Sequence, residues 1–325
     1  MNQVHKIDPR QPSFEEVLKK LADSDERLSN AEIAAFSLAS PEDVTLFKAH
    51  WPDMTAERKA QALGRMQELA EDDATLDFSA LYRVMLGDGL PVVRVGAIRG
   101  LWETEDPSLI RKLLPLMESD TDGEVRAVAA QALGRFVMLA EHGKLNNETG
   151  GLLLEKLVGV FNDPTEELEV RRRALEAVSY LSHPEVRSAI TAAYDSGEPV
   201  FRGSALFAAG RNLDQSWLDM ILDEMVSEIP EHRYEAATAA GEYEDEAAVP
   251  QLIRLTEDTD VEVKMAAITA LGKIGGPEAK CCLKNLTEDA DEATSAIAAE
   301  ALEELAAGAD ILDFSGDADE EIIAG

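Results

Sequence analysis

A repeated segment, written EVRAVAAQALGRF at residues 124–136, constrains the fold of this chain more than any other feature of its sequence. Part of it, AQALGR, occurs unchanged at residues 60–65 and 130–135. Looser copies occupy residues 92–102, 169–181, 200–211, 232–243 and 262–274, and a faded copy occupies residues 294–305. The last five copies follow one another at intervals of 31 residues. A fixed period in this range is typical of stacked supersecondary units.

Each copy has the apolar spacing of an α-helix. With Val125 taken as position 0, apolar residues fall at positions 0, 4, 7, 8 and 11, which is one face of a helix with 3.6 residues per turn. A more apolar run precedes most copies, for example residues 186–194 and 249–255. We therefore predict repeats of two antiparallel helices, in which the apolar run forms the first helix and the repeated segment forms the second. Stacked pairs can bury a continuous core that a single pair cannot.

Glycine recurs at position 9 of the second helix. A glycine inside a helix costs about 1 kcal/mol relative to alanine, so its recurrence needs a reason. We interpret it as room for a closely packed neighbour. The five residues concerned are Gly64, Gly134, Gly210, Gly241 and Gly272.

These residues resemble the HEAT repeat, especially the short variety found in phycobilin-lyase-like proteins. The resemblance implies an all-α fold, a right-handed α-solenoid (an α-α superhelix) of about eight stacked antiparallel helix pairs. In that family an aspartate ends the first helix and Val-Arg opens the second. We predict that these residues form a ladder that joins neighbouring repeats. The pairs are Asp88 with Arg94, Asp120 with Arg126, Asp163 with Arg171, Asp195 with Arg202, and Asp258 with Lys264.

The remaining sequence divides the chain into four parts. Residues 1–12 are predicted to be a flexible tail, and residues 13–40 a helical cap, with a docking element as the alternative. Residues 41–306 form the repeats, with an inserted loop near residues 139–151 that is either a binding element or slack. Residues 307–325 are rich in acids and are predicted to be a disordered tail.

The charge of the chain limits its partners. There are 64 Asp and Glu against 30 Lys and Arg, for a net charge of −34, so nucleic acids and anionic membranes are disfavoured as partners. A protein or peptide partner is expected, and the charge favours a basic one. No apolar run is long enough for a membrane span and no secretory signal is visible, which favours a cytoplasmic location. Cys281 and Cys282 are adjacent and are expected to be reduced thiols.

The sequence contains no recognisable catalytic or metal-binding motif. No HExxH, GxSxG or phosphate-loop pattern occurs, and no His-Glu dipeptide of the kind used by deoxyhypusine hydroxylase, a metal-dependent HEAT enzyme, is present. We therefore predict no enzyme activity, no cofactor and no metal site.

Positions 6 and 10 of the second helix point away from the predicted core. The resemblance places the second helices on the concave surface, where a partner could bind. The residues that we select as candidate contacts there are Arg99, Gln131, Arg135, Tyr180, Phe207 and Arg211. The leading hypothesis is a non-catalytic scaffold or adaptor for a protein or peptide. The alternatives are a bilin-lyase-like enzyme or accessory subunit that binds a tetrapyrrole, and a structural subunit of a larger assembly.

Overall fold

A computed structural model describes residues 12–23, 27–288 and 291–320, with the side chains of residues 307–320 left out. Within these ranges the chain forms eighteen α-helices, four short 3-10 helices and no strand. The predicted all-α fold built from helix pairs is confirmed. The chain separates into two compact units, residues 1–177 (unit 1) and 178–325 (unit 2).

Unit 1 begins with two helices that pack on the first repeat. Ser13 caps the first of them: its hydroxyl accepts from the amide of Glu16 at 3.3 Å, while the Glu16 carboxylate accepts from the amide of Ser13 at 2.9 Å. This confirms the predicted capping box. An aromatic row, with neighbouring ring centroids 4.8–6.4 Å apart, joins residues 13–40 to the repeat that follows. Its members are Phe14, Phe36, Phe47 and Trp51.

The helices of unit 1 are the two of residues 13–40, followed by alternating first and second helices of successive repeats. They are α1 (Phe14–Ala22), α2 (Asn30–Ala34), α3 (Pro41–His50), α4 (Ala56–Asp72), α5 (Ser79–Met85), α6 (Pro91–Arg99), α7 (Ile110–Ser119), α8 (Gly123–Glu141), α9 (Asn147–Asn162) and α10 (Leu168–Val178). Short 3-10 helices occur at Trp51–Asp53 and Pro107–Leu109.

The insertion in the third repeat differs from the prediction of a loop at residues 139–151. Residues 139–141 complete α8 and residues 147–151 open α9, so only residues 142–146 connect the two helices. Gly143 has a φ of 69° at this turn, and the Asn146 side chain accepts from the amide of Thr149 at 2.8 Å to start α9. The extra residues therefore lengthen two helices, because a glycine and an N-cap asparagine suffice to make the turn.

Unit 2 contains α11 (Pro184–Asp195), α12 (Pro199–Asn212), α13 (Leu218–Glu224), α14 (Pro230–Tyr243), α15 (Val249–Leu255), α16 (Val261–Ile274), α17 (Gly276–Leu286) and α18 (Glu292–Glu320), with 3-10 helices at Gln215–Trp217 and Glu246–Ala248. The first-helix runs predicted at residues 186–194 and 249–255 correspond to α11 and α15.

The tail also differs from its prediction. Residues 307–320 continue α18, although disorder was expected over residues 307–325. Alanine, leucine and glutamate, all strong helix formers, are frequent over α18, and they favour propagation of a helix that has already begun. Residues 321–325 and most of the predicted N-terminal tail, residues 1–11, lie outside the described residues.

The glycines at position 9 provide close contact between successive second helices. A Cβ built on Gly210 would lie 2.9 Å from both Cα and Cβ of Ala239, and one on Gly241 would lie 3.0 Å from Cα of Ala270. Gly134 meets Ala177 and Gly272 meets Ala301 in the same way, at 3.2 Å and 2.8 Å. In each case the neighbour occupies position 7 of the next second helix. The interpretation of these glycines as clearance is confirmed, except at Gly64, where no atom lies within 4 Å.

Candidate functional site

The predicted Asp–Arg ladder is present but displaced by one repeat. Arg94 donates from Nε and Nη2 to the carboxylate of Asp120, in the next repeat, at 2.8 Å and 2.6 Å. Towards Asp88, its predicted partner in its own repeat, it donates only to the backbone carbonyl, from Nη1 at 2.7 Å. The prediction that the two side chains within a repeat pair with each other is therefore wrong for Asp88 and Arg94.

The carboxylate of Asp88 accepts hydrogen bonds from two side chains that precede it in the sequence. It accepts from Lys59 Nζ at 2.9 Å and from Trp51 Nε1 at 2.7 Å. Burial alone would raise the pKa of Asp88, but the hydrogen bonds from Lys59, the amide of Leu90 and Trp51 outweigh it and lower that pKa. Lys59 lies three residues beyond the position that corresponds to Arg94, yet it also binds an acid of the repeat that follows.

The same arrangement recurs further along both units. Arg126 donates to Asp120 O at 2.8 Å and to the carboxylate of Glu166 at 2.9 Å and 3.0 Å, so its carboxylate partner is not Asp120. In unit 2, Arg233 binds the carboxylate of Asp258 at 2.7 Å and 2.8 Å and donates to Ser227 O at 2.8 Å. Arg233 lies in the same column of basic residues, but no aspartate could be assigned to it from the sequence because Ser227 stands where the pattern requires one.

The other predicted ladder residues have different surroundings. Asp163 accepts hydrogen bonds from the amide and hydroxyl of Thr165, while Arg171 donates to Phe161 O at 2.8 Å. Arg202 lies 4.6 Å from the ring centroid of Tyr194 and 3.5 Å from Glu224. Asp195 is exposed. The charge of Lys264 contributes to a lowered pKa of Asp291, after hydrogen bonds from Thr294.

In unit 1, the candidate contacts at positions 6 and 10 lie on the face that the second helices expose, called here the second-helix face. Arg99 is exposed and lies 3.0 Å from Glu124. Gln131 is exposed on α8. Arg135 donates to Trp102 O at 3.1 Å and to Glu105 at 3.0 Å. Both arginines are thus engaged in exposed ion pairs, which are weak and can be exchanged for contacts to a partner.

Trp102 is a further candidate contact, which the sequence reasoning missed. Its side chain is 68% exposed and its carbonyl is the acceptor for Arg135. It occupies position 9, where other repeats carry the packed glycine. In most other repeats even a Cβ added at this position would lie too close to the neighbouring helix. An indole therefore cannot fit between the helices, and a tryptophan at this position must face outward. The presence of tryptophan instead of glycine at position 9 was the feature of the sequence that could have indicated this exposed residue.

In unit 2 the structure brings two candidate contacts together. The guanidinium of Arg211 lies 5.3 Å from the ring centroid of Phe207 and 3.6 Å from Glu242. Glu242 also binds Lys273 at 2.8 Å, so the position 10 side chains of α12, α14 and α16 form a row of alternating charge. Tyr180 is half-buried.

A groove runs beside this row, between α14 and α16. Its volume is about 260 Å³, and Tyr234, Thr238, Met265 and Thr269 line it together with Lys273. Tyr234 and Met265 occupy position 2, which the sequence reasoning did not consider, although helical spacing places it beside position 6. The apolar and aromatic side chains here lie on regular helices.

No group of three or more His, Cys, Asp or Glu side chains among the described residues could hold a metal ion. Cys281 is exposed, Cys282 is half-buried, and neither forms a disulfide. Among the described helices, none combines the length and apolarity that crossing a membrane requires.

Comparisons with known proteins agree with the repeat architecture. Residues 78–145 and 218–303 match the family model for HEAT repeats, which does not single out the phycobilin-lyase-like variety. No curated protein matches the chain. Among solved structures, that of Kap95p with RanGDP aligns with 90% of this chain and 45% of that chain, at 13% identity and a TM-score of 0.50. At this identity the likeness shows the fold alone.

Two further structures align over most of their own length with lower TM-scores. Escherichia coli YibA is 15% identical, with 87% of this chain and 99% of that chain covered and a TM-score of 0.47. Human deoxyhypusine hydroxylase in complex with glycerol is 18% identical, with 90% and 95% covered and a TM-score of 0.35.

Proposed function

The chain carries HEAT repeats at residues 78–145 and 218–303, and from this premise we propose that it is a non-catalytic scaffold or adaptor in the cytoplasm. Its partner is a protein or peptide that binds along the second-helix face. In the family that the sequence resembles, the second helices line the concave surface.

The observation that carries the proposal is the pairing of Phe207 with Arg211 beside the groove between α14 and α16. Aromatic and arginine side chains contribute most to protein interfaces, and methionine adapts to varied apolar partners. Here Phe207, Arg211, Tyr234 and Met265 are supplied by three consecutive second helices. Close helix packing at Gly210 and Gly241 holds these helices in fixed positions, which lowers the entropy lost on binding.

The acidic side chains on this face indicate the charge of the partner segment that binds there. Glu262 lines the groove and is exposed, and Glu242 is shared between Arg211 and Lys273. A basic side chain of the partner can pair with Glu262, or displace one of the two cations from Glu242. The net charge of −34 also attracts a basic segment over longer distances. We therefore propose a peptide with apolar and basic residues as the ligand of this face.

In unit 1 the same face offers Trp102 and Arg135. The indole of Trp102 is largely exposed, and Arg135 already donates to the Trp102 carbonyl. Tryptophan and arginine are the residue types most enriched at binding hot spots. These two residues support binding along the second helices of this unit as well.

The test is affinity purification from native lysate with four forms of the full chain. They are the wild type, Tyr180→Ala with Phe207→Ala, the exposed control Val226→Ala, and a truncation after Gly308. We expect a stoichiometric partner with the wild type, the control and the truncation, and its loss with the double variant. Circular dichroism must show that the double variant remains folded.

Two outcomes would refute the assignment. If the folded double variant still retains the partner, the second-helix face is not its binding site. If the partner is lost only on truncation, the binding site lies in residues 309–325. A purified protein with visible absorption from a bound pigment would instead favour the tetrapyrrole-binding alternative.

A further inference from the structure

A second groove, in unit 1, lies on the opposite side of the helix pairs, across first helices. It has a volume of about 620 Å³ and is lined by residues of α3, α5 and α7 together with the turn that follows α5. We call it the outer groove. None of its lining residues belongs to the second-helix face, so it is separate from the site proposed above.

The floor of the outer groove is apolar. Val44 on α3, Val84 on α5 and Leu116 on α7 are half-buried, and Leu86 is almost fully buried. Pro115 is exposed at its edge. Such a surface can hold the aliphatic or aromatic side chains of a bound segment, because burying them removes apolar area from water.

The rim of the outer groove is basic. Lys48, Arg111 and Lys112 are exposed and form no ion pair with any residue that the structure describes. A fourth cation, Arg83, is already held by Asp106 at 2.8 Å and Ser108 at 3.1 Å. No carboxylate lines the groove.

This composition is the reverse of the rest of the chain. Acids outnumber Lys and Arg by 64 to 30 overall, yet four of the eleven lining residues are basic. Spacing places two of the cations beside the floor: Lys48 is four residues from Val44, and Lys112 is four residues from Leu116, which is one helical turn in both cases. A ligand that reaches the floor must therefore pass within reach of the cations.

We propose that the outer groove docks a short acidic segment that carries apolar side chains and belongs to a separate partner protein. Its apolar side chains occupy the floor, and its carboxylates pair with Lys48, Arg111 and Lys112. A short segment fits better than an extended polyanion, because the net charge of −34 repels a polyanion wherever it leaves the groove. Screening over about 8 Å at physiological ionic strength confines the local attraction to the groove itself.

The same charge argument disfavours a second copy of this chain as the occupant. Two copies with a net charge of −34 each repel one another as they approach. A partner that contributes only one acidic segment avoids most of this repulsion. The outer groove thus selects an acidic ligand, whereas the ligand proposed for the second-helix face is basic.

The test uses the full chain and a fluorescein-labelled peptide, DELLDFLEDE, with fluorescence anisotropy as the readout. The groove variant is Arg111→Glu with Lys112→Glu. Both residues lie in the first turn of α7, where acidic residues favour a helix, so the variant is expected to fold. The matched control is Lys144→Glu with Lys280→Glu, which changes the net charge equally at two exposed lysines outside the groove.

We expect the groove variant to weaken peptide binding by about tenfold, because each exposed pair contributes a few-fold and reversal turns attraction into repulsion. The control double variant should change it by less than twofold. A peptide with its leucines and phenylalanine replaced by serine should not bind. Phe207→Ala should leave the affinity unchanged, so this test can fail or succeed whatever happens at the second-helix face.

Three results would overturn the proposal. The first is equal weakening by the groove and control variants, which would show a general charge effect. The second is tighter binding of a fifteen-nucleotide single-stranded DNA than of the peptide, which would assign the groove to nucleic acid. The third is a concentration-dependent dimer in sedimentation that the groove variant abolishes, which would make a second copy the occupant.

Discussion

Arg94 binds the carboxylate of Asp120 through two nitrogens, at 2.8 Å and 2.6 Å, and so joins its own repeat to the next one. Its third nitrogen donates to the backbone carbonyl of Asp88 in its own repeat. The arginine side chain is 10% exposed and the aspartate side chain 6%. A charged, two-point contact of this kind is stronger than a neutral hydrogen bond and fixes the geometry of both groups.

Replacing Arg94 by alanine is expected to destabilise unit 1 by about 3 kcal/mol, because it leaves the buried carboxylate of Asp120 without its cation. Arg99→Ala is the matched control, since Arg99 and Glu124 are 60% and 63% exposed, and we expect a loss below about 1 kcal/mol. Urea unfolding followed by circular dichroism measures both. Equal losses in the two variants would contradict a structural role for the ladder.

The ion pair of Arg233 with Asp258 should make stability depend on pH. The hydrogen bonds from Arg233 lower the pKa of Asp258 in the folded protein, and they outweigh burial, which raises it. A lowered carboxyl pKa stabilises the fold above the unfolded value of about 3.9, and this contribution is lost as pH falls through the folded pKa. We expect the stability difference between wild type and Arg233→Gln to be constant from pH 7 to pH 5 and to shrink below about pH 4.

Urea midpoints measured for both proteins across this pH range test the prediction. Arg99→Gln serves as the control, because its exposed pair should give a small difference at every pH. A difference between wild type and Arg233→Gln that persists undiminished at pH 3 would show that the ion pair does not carry the effect.

Adding a methyl group at Gly210 and at Gly64 should have opposite effects. At Gly210 the new Cβ would lie 2.9 Å from Cα of Ala239, and backbone cannot yield as a flexible side chain does. Overpacking then costs about 1–3 kcal/mol, against a gain in helix propensity of about 1 kcal/mol. We expect Gly210→Ala to destabilise the protein and Gly64→Ala, where no atom lies within 4 Å, to stabilise it. Thermal unfolding of both variants tests this prediction. A change in stability of the same sign for both would refute the clearance argument.

The two cysteines should react at different rates. Burial raises the pKa of the Cys282 thiol, which reduces the fraction present as the reactive thiolate, while Cys281 is exposed. With a chromogenic disulfide reagent at pH 8 we expect one fast and one slow phase of equal amplitude. Cys281→Ser should remove the fast phase and Cys282→Ser the slow one. Loss of the slow phase in Cys281→Ser would reverse the assignment.

The sequence predicted the fold through its period, because a helical pattern that recurs every 31 residues permits little besides stacked helix pairs. It also predicted the role of the glycines at Gly134, Gly210, Gly241 and Gly272, since a costly residue at a fixed position requires a compensating contact. The boundaries of α15 follow from its apolar run alone. These features depend on local pattern, which a single sequence contains.

The sequence could not assign the partners in the ladder. Asp88 and Arg94 are six residues apart whether the arginine binds the carboxylate or the carbonyl of that aspartate, and only packing distinguishes the two. The insertion was predicted as a loop because Gly143 and Asn146 favour turns. The turn that they form takes only five residues, and the other inserted residues are helical. The outer groove could not be predicted from the sequence for a different reason. It combines residues of three first helices, and the cations of these helices are few and widely spaced in the chain.

The forward direction of the ladder sets the unit by which such a chain can change in length. In unit 1, Lys59 binds Asp88, Arg94 binds Asp120 and Arg126 binds Glu166, each in the repeat that follows. We expect removal of one whole repeat to bring a cation such as Arg94 to an acid of its new neighbour, so that the buried charge keeps a counterion. Removal of half a repeat is expected to leave one buried charge without its counterion. We therefore expect duplication and loss of genetic segments to be tolerated in whole periods, because the contacts between repeats are then preserved.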